Sequence, residues 1–347
     1  MYSESDLDQA VAAGALSAES AAAFRRHVAF GRQAPAVDEE QFRLLTGFND
    51  IFVSIAVVLI LAAVEQIGQR LSSPLGGVAV AGSAWLLALY FTARRRMALP
   101  SILLLLAFVG GVAGAVGSGL LEAVGPAPVV SPRTQAFIAA AAAIASAGAA
   151  YLHWRRFMVP ITVAAGAAAL AGVVVALFAG SFPSAGTRLI WPVLLAAGLG
   201  VFAVAMRWDM SDRERRTRRS DVAFWLHLAA APMIAHALFN LLGVFDGEID
   251  AGRAIVVLLL YVVFALVALA VDRRALLVSS LAYVLYALYE LFRHAGAVEL
   301  SAAFTGFVIG SALLLLSAFW HPVRARVVAR LGDGLAGRLP PVQLLPA

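Results

Sequence analysis

The chain contains no cysteine and no lysine, and only 14% of its 347 residues are charged. The missing cysteine excludes disulfides, thiolate metal sites and sulfur nucleophiles. The missing lysine leaves all 26 basic side chains as arginines. No HExxH zinc motif, paired-aspartate motif or nucleophile elbow occurs, so the familiar hydrolytic signatures are absent. No RNA- or DNA-binding module is present either, and the net charge of +5 does not describe a nucleic-acid surface. A soluble domain carries roughly 25% charged and 45–50% apolar residues. Here 62% are hydrophobic, which makes the bilayer the solvent.

What fills the sequence instead is a series of long apolar runs. Windows of about 20 residues predict spans near 49–67, 75–92, 99–121, 135–152, 158–180, 188–206, 221–243, 253–271, 274–292 and 300–320. The fourth, through Ala139–Ala145, is only weakly apolar. The fold class expected is all-α: a polytopic helical membrane protein with about ten transmembrane helices and both termini cytoplasmic. The first apolar run begins near Asn49 behind an acidic, helical leader, so it does not read as a cleavable signal peptide.

Arginine placement tests that count independently. With a cytoplasmic amino terminus, twenty-one arginines fall in inner segments and five in outer loops, namely Arg70, Arg133, Arg188, Arg253 and Arg293. The alternation follows the positive-inside bias, which a missed span would scramble. The densest cluster, Arg213 to Arg219, joins spans six and seven and reads as a topology anchor or as a dock for an acidic partner. Helical spans and an Ala/Arg-rich composition point to a bacterial inner membrane.

The domains expected are a cytoplasmic helical hairpin and linker over 1–48, a ten-helix bundle over 49–320 and a cytoplasmic amphipathic tail over 321–347. In the leader, Gly14 is placed to end a first helix and Ser17 to cap a second. Asp38-Glu39-Glu40 and the run Phe42-Arg43-Leu44-Leu45 follow Pro35. In the tail, Val323, Val327, Leu331 and Leu335 recur every four positions, with Arg324 falling inside that stripe, and Gly332 and Gly334 should keep the helix short.

Ionisable groups at membrane depth are expensive and so mark candidate sites. Span one carries Asp50, Ser54 and Glu65 within about 60° of one another at 100° per residue. Asp50 also fits a helix cap, and Glu65 a carboxylate reaching headgroups. Span seven is the most polar, with Asp221, His227, Pro232, His236 and Asn240. Asp221 fits an inner-edge cap or ion-pair partner. Nine residues separate the two histidines, which places them on roughly opposite faces unless Pro232 bends the helix. Span nine aligns Ser279, Tyr283, Tyr286 and Glu290. If the three spans are neighbours, Glu65, His236, Asn240, Tyr286 and Glu290 form an outward-facing polar cluster able to hold a proton, a cation or a metal. Asp50, Asp221 and His227 are the inner-side candidates. Gly110 with Gly114, and Gly306 with Gly310, are small-xxx-small pairs that predict close helix packing.

The run Gly14-Ala15-Leu16-Ser17-Ala18-Glu19, with Phe48-Asn49-Asp50 at the mouth of span one, resembles an uncharacterised family of bacterial polytopic membrane proteins whose members begin with a helical hairpin. The run Ser220 to Leu228 and the run Asp272-Arg273-Arg274-Ala275-Leu276 are similar to that family too. The resemblance implies an inner-membrane location and a cytoplasmic leader. It brings no catalytic residue, substrate or cofactor.

Three function classes follow. The first is a proton- or ion-coupled transporter of a small solute, using the polar faces of spans one, seven and nine. The second is a non-catalytic scaffold or sensor that meets a protein partner through its leader. The third is an intramembrane enzyme acting on a lipid. Beyond the bilayer itself, no cofactor is expected.

Overall fold

The computed structural model describes residues 4–31, 48–125, 130–213, 215, 217–244, 251–294 and 301–342. The linker with Pro35, Asp38-Glu39-Glu40 and Phe42 to Leu45 lies outside the described residues, as does the side chain of Glu290. Every described regular element is a helix. In chain order these are α1 (Glu4–Ala12), α2 (Ala18–Gly31), α3 (Phe48–Leu71), α4 (Ser73–Phe91), α5 (Ala98–Val124), α6 (Pro132–Phe157) and α7 (Ile161–Ser181). There follow α8 (Pro183–Ser211), α9 (Arg218–Leu241), α10 (Ala251–Val271), α11 (Ala275–His294), α12 (Ser301–Ala318), α13 (Trp320–Ala329) and α14 (Asp333–Ala336). Two compact units result, Met1–Leu44 with Leu345–Ala347, and Leu45–Leu344.

In the smaller unit, Gly14 takes φ +71° after α1, a left-handed conformation that costs glycine little. Ser17 Oγ accepts from the Ser20 amide at 3.0 Å and so satisfies an open donor at the start of α2. Arg25 and Asp8 pair at 2.7 Å across the two helices.

In the larger unit, nine helices among the described residues are long and apolar enough to cross a bilayer. The ninth predicted span is α11, whose apolar part, Leu277–Tyr289, is shorter. Arg273 and Arg274 before it, and Glu290, Arg293 and His294 in its last turns, keep the apolar stretch brief. The chain is therefore a polytopic helical bundle that has, among the described residues, nine long apolar helices and a shorter one.

Consecutive helices pack as antiparallel neighbours from α3 to α9, and α11 packs on α9, α10 and α12. The most enclosed is α9, which touches α7, α8 and α11. Of its apolar window 56% is buried, against 17% to 33% for the other eight. Phe239, Leu226 and Val222 on α9 join Val284 of α11 and Val257 of α10 in the main core cluster. The exposed apolar side chains, such as Leu59, Leu86, Leu170 and Leu259, lie on the outsides of the helices, as lipid contact requires. Pro192 is interior to α8, because that helix starts earlier than the hydropathy suggests, at Pro183.

Close packing uses other glycines than the small-xxx-small pairs. A Cβ on Gly110, Gly114, Gly306 or Gly310 would meet nothing within 4 Å. Gly77 of α4 and Gly111 of α5 instead face each other: a Cβ on Gly77 would lie 2.4 Å from the Ala115 nitrogen, and one on Gly111 2.8 Å from the Gly77 oxygen. One residue of rotation, 100°, separates Gly111 from Gly110, and hydropathy alone does not resolve it. Gly77→Ala is therefore expected to destabilise the bundle by about 1–3 kcal/mol through overpacking. Gly114→Ala should be neutral or slightly stabilising, since alanine favours a helix by up to about 1 kcal/mol over glycine. Thermal unfolding of the two variants in detergent checks the contrast.

Candidate functional site

Asp209 sits in the last turn of α8 with 2% of its surface exposed. A carboxylate there faces both desolvation and the negative end of the helix, so it needs strong hydrogen-bond donors. It has two. Arg273, in the turn between α10 and α11, places Nη2 at 2.6 Å from Oδ1 and Nε at 3.4 Å from Oδ2. His227 of α9 donates from Nε2 to Oδ2 at 2.8 Å. The same Arg273 Nη2 donates to the Ser220 carbonyl at 3.2 Å, which ties the guanidinium to the first turn of α9. Phe202 edges onto the His227 ring at 5.1 Å.

A second cluster lies beside it in the chain. Asp272 adopts φ +61°, a left-handed conformation that sharpens the α10–α11 turn. Its carboxylate accepts from Trp320 Nε1 at 2.8 Å and pairs with Arg215 at 3.1 Å and Arg324 at 3.5 Å. Arg215 also donates to the Asp272 carbonyl at 3.0 Å. Arg274 lies over the Trp320 ring at 4.8 Å. Arg324 donates to the Pro340 and Pro341 carbonyls at 2.8 and 3.2 Å, and Arg213 donates to the Leu339 carbonyl at 3.0 Å. Asp212 Oδ2 accepts from the Thr217 amide at 2.9 Å and holds the α8–α9 connection. Arg273 and Arg324 are thus buried and Arg215 is half-buried in this network, while Arg213 and Arg274 reach it from exposed positions. The blurring arginine of the tail stripe, Arg324, belongs to the buried face of α13 with Trp320 and Val328.

The other histidine of α9 has a different setting. His236 Nδ1 and the Tyr283 hydroxyl of α11 are 2.6 Å apart. Trp191 of α8 meets the imidazole edge-on at 5.2 Å, and Phe239 stacks on Tyr283 at 4.2 Å. Asn240 donates to the carbonyl of His236, one turn back on its own helix, at 2.8 Å. Pro232 lies between the two histidines and leaves the carbonyl four residues earlier without its helical donor. At about 1.5 Å of rise per residue, His227 and His236 stand roughly 13–14 Å apart along α9.

The remaining sequence candidates are dispersed. α9 and α11 pack directly on each other, whereas α3 packs on α4 and α5. Glu65 of α3 is exposed and accepts from Gln69 at 3.0 Å. Tyr286 is 39% exposed and Asp221 is exposed at the start of α9. Asp50 is buried, and Ser54 donates to its backbone carbonyl at 2.6 Å.

Four residues with notable chemistry escape a hydropathy reading: Asp209, Asp272, Arg273 and His153. Asp209 follows Arg207 just past the predicted end of span six, and Asp272-Arg273 stands in a turn, so all three look like loop charges. His153 is fully buried near the end of α6, with Nδ1 at 3.2 Å from the Thr162 hydroxyl. Its Nε2 has no hydrogen-bond partner among the described residues, and Trp85, Phe108 and Phe157 surround the ring. No group of three or more His, Asp or Glu side chains able to hold a metal occurs among the described residues.

No protein-family model, curated protein or solved structure matches the chain. The family resemblance therefore rests on its short motifs alone, two of which, Ser220 to Leu228 and Asp272 to Leu276, supply partners of the Asp209 and Asp272 clusters.

Removing one member of a buried ion pair costs about 3–5 kcal/mol, whereas replacing both by apolar groups is often neutral. Arg273→Met alone should sharply lower the unfolding temperature. Asp209→Leu with Arg273→Met should recover most of the loss, and a double-mutant cycle on purified protein measures that coupling.

Proposed function

We propose that this chain is a proton-coupled carrier of a small solute in a bacterial inner membrane, with its arginine-rich end in the cytoplasm. One observation carries the reading: the most enclosed helix, α9, holds two imidazoles, each hydrogen-bonded to a proton-active partner, on either side of Pro232. Histidine changes charge between pH 5 and 8, and ionisable residues inside spans commonly serve proton pathways.

The two sites have distinct roles in this proposal. At the cytoplasmic end, Asp209 is held by Arg273 and His227. A second proton on His227 places a cation beside Arg273, and their repulsion loosens α8 from α9. At the opposite end, His236 exchanges a proton through the Tyr283 hydroxyl. Pro232 supplies a backbone break between them at which α9 bends, and a broken helix is where carriers commonly bind solute. Glu65 stays outside this pathway, because α3 packs on α4 and α5.

The measurement is proton movement in vesicles containing purified protein and an internal pH dye, with amino acids, sugars and organic acids added in turn. At least one class should drive a saturable pH change, and His227→Gln or His236→Gln should each reduce it at least tenfold without loss of folded protein. Unchanged rates in both variants, or no coupled movement with any class, would refute the carrier reading.

A second reading has its own support. The unit Met1–Leu44 with Leu345–Ala347 is compact in itself and carries its own ion pair, Arg25–Asp8, which suits a scaffold or sensor whose leader docks a protein partner. Deleting residues 1–30 should then remove a cross-linked neighbour while the bundle unfolds at an unchanged temperature. An identical cross-linking pattern would sink that alternative.

A further inference from the structure

We infer that the junction of α12 and α13 is a binding site for one anionic glycerophospholipid. The argument begins with how α13 is held. Trp320, Arg324 and Val328, four residues apart, are buried. Trp320 donates to Asp272, and Arg324 to the Pro340 and Pro341 carbonyls. These contacts fix the rotation of the helix. Two residues further on, about 200° around the axis, the opposite row of Pro322, Arg326 and Arg330 is exposed. Arg326 and Arg330 are one turn apart, close enough for both guanidiniums to reach a single phosphate. Neither has an ion-pair partner among the described residues.

The apolar half of the site lies directly beneath. Ala312, Leu315, Leu316 and Phe319 of α12 and its end join Pro322, Val323 and Arg326 around a cleft of about 640 Å³. Leu315 is 59% and Phe319 55% exposed, on a helix long and apolar enough to cross the bilayer. Acyl chains are the solvent at that depth, and headgroups begin where α12 gives way to α13. A hydrocarbon wall capped by two unpaired arginines matches an amphiphile with an apolar chain and a negative phosphate. A zwitterionic headgroup suits it less, since its ammonium would meet the same two cations. Because α13 is clamped from its other face, the arginines are positioned before the lipid arrives, which removes much of the ordering cost.

The test is native mass spectrometry of the full-length protein in detergent, titrated with phosphatidylglycerol or phosphatidylcholine. Each arginine near a headgroup contributes about 1 kcal/mol toward an anionic lipid, so two correspond to a preference of roughly 30-fold for phosphatidylglycerol. Arg326→Gln with Arg330→Gln should erase that preference while phosphatidylcholine binding stays as it was. Leu315→Trp, which fills the cleft from an exposed position, should weaken retention of both lipids. Arg218→Gln with Arg219→Gln, on an exposed pair elsewhere at the same end, should leave the preference intact. Equal binding of the two lipids by the unaltered protein would overturn the site. So would an unchanged preference in the Arg326/Arg330 variant, or an equal loss in the Arg218/Arg219 variant.

Discussion

A carboxylate buried at the end of a membrane helix must be neutralised where it stands, and Asp209 imposes that constraint on half of this bundle. Its two oxygens take Arg273 and His227, so the α10–α11 turn and the first half of α9 are drawn to one point at the end of α8. Once Arg273 is fixed there, its neighbour Asp272 is fixed as well, and with it the set of donors from Arg215, Trp320 and Arg324. Oil-like side chains discriminate poorly between one helix arrangement and another in lipid. Charges that are costly to leave unpaired discriminate strongly.

The two parts of the bundle solve the packing problem differently. From α3 to α7 small residues allow close approach, with Gly77–Gly111 bringing two backbones together and alanines such as Ala84, Ala88 and Ala150 fully enclosed, around a core of Val57, Leu61 and Leu104. The buried polar contacts there include Ser54 with the Asp50 carbonyl and His153 with Thr162, and neither is an ion pair. From α8 to α11 larger side chains fill the core, and ion pairs register the helices. The first arrangement suits a rigid body. The second is held by protons and charges, which solution conditions can alter.

Much of this was readable from composition and periodicity. Ten apolar runs mark ten helices, and the segregation of arginines gives a consistent alternation. His227 and His236 stand out as polar groups in an apolar stretch. The partners did not stand out, for a physical reason. Hydropathy averages over about 20 residues, so a charge two or three positions beyond a run, such as Asp209 or Arg273, is assigned to water. Helix α8 in fact continues past the apolar window and its last turn carries Asp209 into the protein interior, where the short α10–α11 turn brings Arg273 against it. The Glu65 cluster shows the converse limit. Residues at similar depth share a site only if their helices touch, and α3 packs on α4 and α5, information that lies in packing and not in any single span.

The carbonyls of Leu339, Pro340 and Pro341 close the arginine-rich end by accepting from Arg213 and Arg324. Those residues are synthesised after helices α3 to α13. While the ribosome is still adding α12, Arg324 and Trp320 do not yet exist, and Asp272 has only Arg215 from its later set of cationic partners. The helices therefore enter the bilayer with this end unsealed, while the Asp209 contacts already hold α8, α9 and the α10–α11 turn together. Assembly runs from a pre-inserted set of helices to a locked one, and the locking step belongs to the tail.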